Sequence, residues 1–89
     1  MTTRSLKIVN EKGLHARASA KLVETAEGFS ARLTVSRDGM TASGDSIMGL
    51  LMLAAAKGTT IDIETAGDDA EALADAVEAL VADRFGEGF

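Results

Sequence analysis

The residues best suited to chemistry lie in one short segment, Gly13-Leu14-His15-Ala16-Arg17. His15 is the single histidine of the chain, and it falls where a turn ends and a helix begins, off that helix's apolar face. A helix start presents unpaired backbone N–H groups and a partial positive charge, which together make a site for an anion. The same field disfavours a second positive charge, so the imidazole keeps a nitrogen lone pair for nucleophilic attack. Arg17 adds a fixed charge able to hydrogen-bond phosphate oxygens. Positions two apart on a regular helix do not face each other. At the first turn, however, a non-helical His15 and a back-folded Arg17 can both approach one anion. This is a nucleophile beside a phosphate cradle. On spacing alone a plainer reading stands next to it: a histidine that caps the helix or sits solvated at the surface.

A second segment, Gly44-Asp45-Ser46-Ile47-Met48-Gly49, places Ser46 ahead of an apolar helical run, the position of an N-cap. A phosphoryl group added to Ser46 would be stabilised by the helix dipole, with Asp45 and Asp38 offsetting part of that gain by repulsion. An unmodified cap is the alternative. Ile47, Met48, Leu51 and Met52 are more apolar than one buried stripe requires, which suits an exposed surface that meets partners. Tight core packing around Gly49 explains the same residues equally well. Asp62, Glu64, Asp68, Asp69, Glu71, Asp75 and Glu78 have the spacing of solvated faces, not of a metal cluster.

The elements that position these segments follow from periodicity. Arg4 to Val9 reads as a strand, with Leu6 and Ile8 two apart, and Asn10 to Gly13 as the turn after it. From Ala16 to Glu27 the residues Ala16, Ala20, Val23 and Ala26, with Leu22 beside them, follow helical spacing up to a stop at Gly28. Phe29, Ala31, Leu33 and Val35 alternate with polar residues as a strand, Asp38-Gly39 signals a hairpin, and Met40 to Ser43 returns. A helix over Ser46 to Ala56 carries Ile47, Leu50, Leu51 and Ala54 on one face and ends at Lys57-Gly58. Thr59 to Thr65 is a strand with Ile61 and Ile63 inward. Gly67-Asp68-Asp69 starts a final helix whose apolar face is Ala70, Leu73, Ala74, Val77, Leu80 and Val81. Arg84 to Phe89 is expected to fray outward. The order β-α-β-β-α-β-α, with each strand apolar on one side only, predicts an open-faced α/β sandwich: a four-stranded antiparallel sheet with three helices on one face.

Composition excludes several function classes. The 89 residues make one domain, residues 1–89, without an internal repeat. Zero cysteines exclude disulfides, zinc knuckles and thiol chemistry, and one histidine excludes a His-pair metal site. A net charge of −5 with only three aromatic residues argues against nucleic-acid binding. The longest apolar run, Ile47 to Ala56, is about half the ~20 residues that a membrane span needs. With no signal peptide and no disulfide framework, the expected location is the cytoplasm.

The segment at His15 resembles that of the histidine-containing phosphocarrier proteins (HPr) of the bacterial phosphoenolpyruvate-dependent phosphotransferase system. The likeness continues through Glu27-Gly28-Phe29, Ser46-Ile47-Met48-Gly49, Ala56-Lys57-Gly58 and the acidic start of the last helix at Gly67-Asp68, and it spans nearly the whole chain. It implies the same open-faced fold and no cofactor. It also implies that His15 accepts a phosphoryl group on Nδ1 from phospho-enzyme I and passes it to a histidine of an enzyme IIA component. By the same resemblance Arg17 stabilises the phosphoryl group, and Ser46 is the target of an HPr kinase/phosphorylase. Ala16, Ile47, Met48 and Leu51 would form the docking patch. Where the family usually has proline after the arginine, this chain has Ala18, which changes the stiffness of the first turn rather than its chemistry. Leu51-Met52-Leu53 and the alanine-rich last helix look more like the nitrogen-related branch than the sugar-import branch.

Two rival readings remain at this level. One is a regulatory interaction module that binds partners through the patch on the second helix without relaying phosphate. The other, a small hydrolase, lacks a second catalytic group placed near His15 in the sequence. A relay is expected to be a monomer, because His15 must meet two partners in turn.

Overall fold

A computed structural model describes residues 1–88. The elements in chain order are β1 (Thr2–Lys7), α1 (Ala16–Glu27), β2 (Arg32–Arg37), β3 (Met40–Ser43), α2 (Ile47–Met52), β4 (Thr60–Ala66) and α3 (Ala70–Ala82). The four strands form one antiparallel sheet in the order β1-β4-β2-β3, with Leu6 opposite Ile61 and Val35 opposite both Ile63 and Ala42. β1 and β2 are therefore parallel to each other with β4 between them, a split β-α-β unit. Leu6, Ile8, Leu33, Val35, Ala42, Ile61 and Ile63 line the buried face. Thr3, Ser5, Lys7, Arg32, Asp62 and Glu64 lie on the exposed one, where Ser5 donates to Asp62 at 2.6 Å. The open-faced α/β sandwich expected from the alternation is the observed architecture.

Several boundaries differ from the sequence reading, each for a local reason. β2 begins at Arg32 and not Phe29, because the Ser30 and Ala31 amides donate to the Asp69 carboxylate at 2.9 and 2.7 Å instead of joining the ladder. α1 buries Ala18, Ser19, Leu22 and Val23, while Ala16 is exposed. Ser19 hides inside the core face because its hydroxyl donates to the Leu14 carbonyl at 3.4 Å. α2 stops at Met52, since Ala54 turns left-handed (φ 51) and Ala55 is drawn inward. Its core contacts are Leu50 and Leu53, one turn apart, so Ile47 and Ala54 face outward and Leu51 is half-buried.

The largest departure is at the end of the chain. Arg84–Gly86 forms a tight turn, with Arg84 (φ 56) and Phe85 (φ 55) both left-handed. A bulky residue in that region costs about 1–3 kcal/mol. Full burial of the Phe85 ring opposes that cost with about 1.5–3 kcal/mol of hydrophobic transfer. The Lys21 ammonium also donates to the Phe85 carbonyl at 2.7 Å. Residues 84–87 thus fold back onto the start of α1 and its preceding loop instead of fraying; Phe89 lies outside the described residues.

Candidate functional site

His15 is the N-cap of α1, with extended backbone (φ −82, ψ −176). Its position is set from both sides. Upstream, the Leu14 amide donates to the Ala55 carbonyl at 2.8 Å, tying the loop to the segment after α2. Downstream, the first bond of the helix runs from the Ser19 amide to the His15 carbonyl at 2.8 Å. The amides of Ala16, Arg17 and Ala18 accordingly have no acceptor within the helix. Ala18, standing where proline is usual in the resembled family, keeps one of those N–H groups, and its side chain is fully buried.

The imidazole makes no capping bond. It is turned instead toward the C-terminal segment, where Nε2 is hydrogen-bonded to Glu87 Oε2. The other carboxylate oxygen, Oε1, accepts from Asn10 Nδ2 at 2.9 Å, and the same Nδ2 donates to the Gly13 carbonyl at 2.8 Å. Asn10 is wholly buried. The side chain of His15 is 26% exposed and that of Glu87 only 5%, so the ring can be reached from outside while the carboxylate behind it cannot. Burial pushes the Glu87 carboxyl up, but Asn10, His15 and Lys12 together outweigh it and hold the group below the usual glutamate range. Among the described residues, no group hydrogen-bonds Nδ1.

Of the other candidate residues, Ala16 and Arg17 are exposed on the first turn of α1. Arg17 makes no hydrogen bond or ion pair among the described residues, and none joins it to His15. Ser46 caps α2, its hydroxyl accepting from the Gly49 amide at 3.0 Å. Met48 and Met52 are 70% and 69% exposed and Ile47 is 39% exposed, on a helix that packs against α1. A surface cleft of about 350 Å³ between the end of α1 and strands β2 to β4 includes none of these residues. Among the described residues no acidic or histidine cluster could hold a metal ion, and no helix is long and apolar enough to cross a membrane. The two residues that sequence reasoning did not attach to the site are Asn10 and Glu87. An aromatic residue inside a polar tail, Phe85, was the available signal that the tail is anchored.

A family model described as "PTS HPr component phosphorylation site" matches residues 2–83. The chain belongs to the HPr family. It is 49% identical over 88 residues to the phosphocarrier protein HPr of Cupriavidus necator, covering 99% of each. It is 44% identical over 84 residues to the phosphocarrier protein NPr of Shewanella violacea, covering 94% of this chain and 92% of that one. The crystal structure of HPr from Thermoanaerobacter tengcongensis superposes with a TM-score of 0.94 at 35% identity, over 100% of both chains. This HPr-family chain is therefore a phosphocarrier of the phosphotransferase system, a carrier and not a catalyst in the usual sense. Its relatives include proteins of both the HPr and the NPr name.

Proposed function

We propose that His15 accepts a phosphoryl group on Nδ1 from phospho-enzyme I and passes it to a histidine of an enzyme IIA component, in the cytoplasm, as one domain of residues 1–89. The observation that carries this reading is the state of the ring. Nε2 is engaged, Nδ1 is unbonded among the described residues, and the unpaired amides of the first turn of α1 lie next to it in sequence. Donors fixed before the reaction stabilise an arriving anion without reorganising. Arg17, unpaired and exposed, is free to swing onto the phosphoryl oxygens. Ala16, Ile47, Met48 and Leu51 form the surface on which enzyme I and the acceptor dock, and the exposure of Met48 supports that role. Ser46 is a target for an HPr kinase/phosphorylase: a phosphate there would replace a neutral cap with a dianion at the edge of the docking surface. The makeup of Leu51-Met52-Leu53 and of α3 favours the nitrogen-related branch, in which the acceptor is a regulatory enzyme IIA.

The deciding experiment is the intact mass of the chain after incubation with phosphoenolpyruvate and enzyme I. One acid-labile, alkali-stable phosphoryl group is expected on the wild type and none on His15→Ala. The exposed methionines of α2 favour a second reading, a regulatory module that binds partners through that patch without relaying phosphate. That reading takes over if the wild type gains no mass while both proteins still bind partners. Mass spectra of the chain isolated from cells test the regulatory part. A phosphoserine at residue 46 is expected, and its absence in both rich and starved growth removes the kinase from the scheme.

A further inference from the structure

The geometry points to Glu87 as a positioning residue for phosphoryl transfer: it holds the proton on Nε2 of His15, aims Nδ1 outward, and balances the charge that the ring acquires when Nδ1 is phosphorylated. The inference rests on the reading of His15 as the phosphoryl acceptor. A histidine ring has two nitrogens that compete for one proton, and the hydrogen bond made by one decides what the other can do. Here the partner of Nε2 is a carboxylate held below the usual glutamate range, hence ionised and able only to accept. Nε2 must therefore carry the hydrogen, and the lone pair lies on Nδ1. The carboxylate is itself fixed. Asn10 grips its second oxygen from a fully buried position, and Phe85, two residues upstream, is locked in the core. The site is built from three parts of the chain that meet only in the fold.

The transfer balances without a proton changing hands. The Nδ1 lone pair attacks phosphorus while the bond from phosphorus to its donor atom on phospho-enzyme I breaks, its electron pair leaving with the donor. Nothing is oxidised or reduced. The ring, now bearing phosphorus on Nδ1 and hydrogen on Nε2, carries a formal positive charge on the edge that faces Glu87. When the group moves on to the acceptor histidine, the N–P electron pair returns to Nδ1 and the ring is neutral again. A carboxylate at Nε2 thus favours the loaded state and keeps the ring from turning its protonated edge toward the partner.

The test uses the full chain, with the ring nitrogens of its one histidine observed by ¹⁵N nuclear magnetic resonance at a pH where the ring is neutral. The wild type is expected to hold the Nε2–H tautomer almost exclusively, and Glu87→Gln to show a mixture. Uptake of phosphate from phospho-enzyme I in a single turnover is expected to slow by about ten-fold in Glu87→Gln, the lower end of what removing an orienting carboxylate costs a ligating histidine. A wild type that holds the Nδ1–H tautomer overturns the assignment without any variant being needed. So does a Glu87→Gln chain that matches the wild type in both ring spectrum and uptake rate. A wild type that takes up no phosphate overturns the relay reading itself, and the role of Glu87 with it, a result distinguishable from the other two.

Discussion

A methyl group on Gly13 would lie 2.4 Å from the Ala55 carbonyl oxygen and 2.9 Å from the Ala56 Cα, at a backbone φ of 64 that a side chain rarely adopts. The loop carrying His15 runs this close to the segment after α2 because the next amide, Leu14, donates to that same carbonyl. Gly13→Ala is therefore expected to cost about 1–3 kcal/mol in urea unfolding, and to slow phosphoryl uptake because the loop must back away and take His15 with it. Unchanged unfolding and uptake would show that the close approach is not needed. The places of His15 and Ser46 are legible from residue type and spacing, since both stand at helix starts. Asn10 and Glu87 were not. Asn10 had the look of ordinary turn chemistry, and Glu87 lies 72 residues from His15 between two glycines. Nothing local in either segment reports that the fold brings them together.

At the scale of elements, the apolar pattern gave the right number and kind but misjudged two faces. In α1 the alanines at 16 and 20 suggested a stripe that the structure rotates toward Ala18 and Ser19, because alanine is too small to mark a face and a serine that bonds back to the preceding turn buries easily. In α2 the run from Ile47 to Ala56, apolar except for Gly49, reads as one helix, yet the left-handed Ala54 ends it early so that Ala55 can meet the His15 loop. The closing turn is hard to read because Gly86 and Gly88 make the end of the chain look like a fraying tail, and only the burial of Phe85 reveals it. Phe85→Ala removes that anchor. It is expected to lower the unfolding free energy by about 3 kcal/mol and to speed hydrogen exchange at the Gly86 and Glu87 amides, which now donate to Asp83 and Arg84. If stability is lost while those amides stay protected, the turn is held by something other than the ring.

For the whole molecule, acid is the informative perturbation. The Asp69 carboxyl is held below the ordinary aspartate range chiefly by the Ser30 amide and then by that of Ala31, and so bolts the start of α3 to the entry of β2. Glu87 is held low as well, despite its burial, and closes the C-terminal segment over α1. A carboxyl whose folded value is depressed contributes stability above its unfolded value, about 3.9 for Asp and 4.3 for Glu. That contribution is lost as pH falls through the folded value. The melting temperature is thus expected to hold through neutral pH and to drop as pH falls below about 4. Asp69→Asn should melt lower than the wild type at pH 7, and the gap should close in acid. A gap that persists unchanged there would mean that shape, and not charge, makes the link. The sheet and its layer of helices could be read from alternation because every strand has one wet side; which two strands lie inside the sheet could not, since periodicity carries no pairing order.

That pairing order matters to a chain being made on the ribosome. β4 sits between β1 and β2 and is the last strand in sequence, ending at Ala66. Until it emerges, β1 has no neighbour to bond and the β2–β3 hairpin stands alone, a two-stranded unit that is marginal in water. The nascent chain must therefore wait until everything through Ala66 is free before the sheet can close in a single late step.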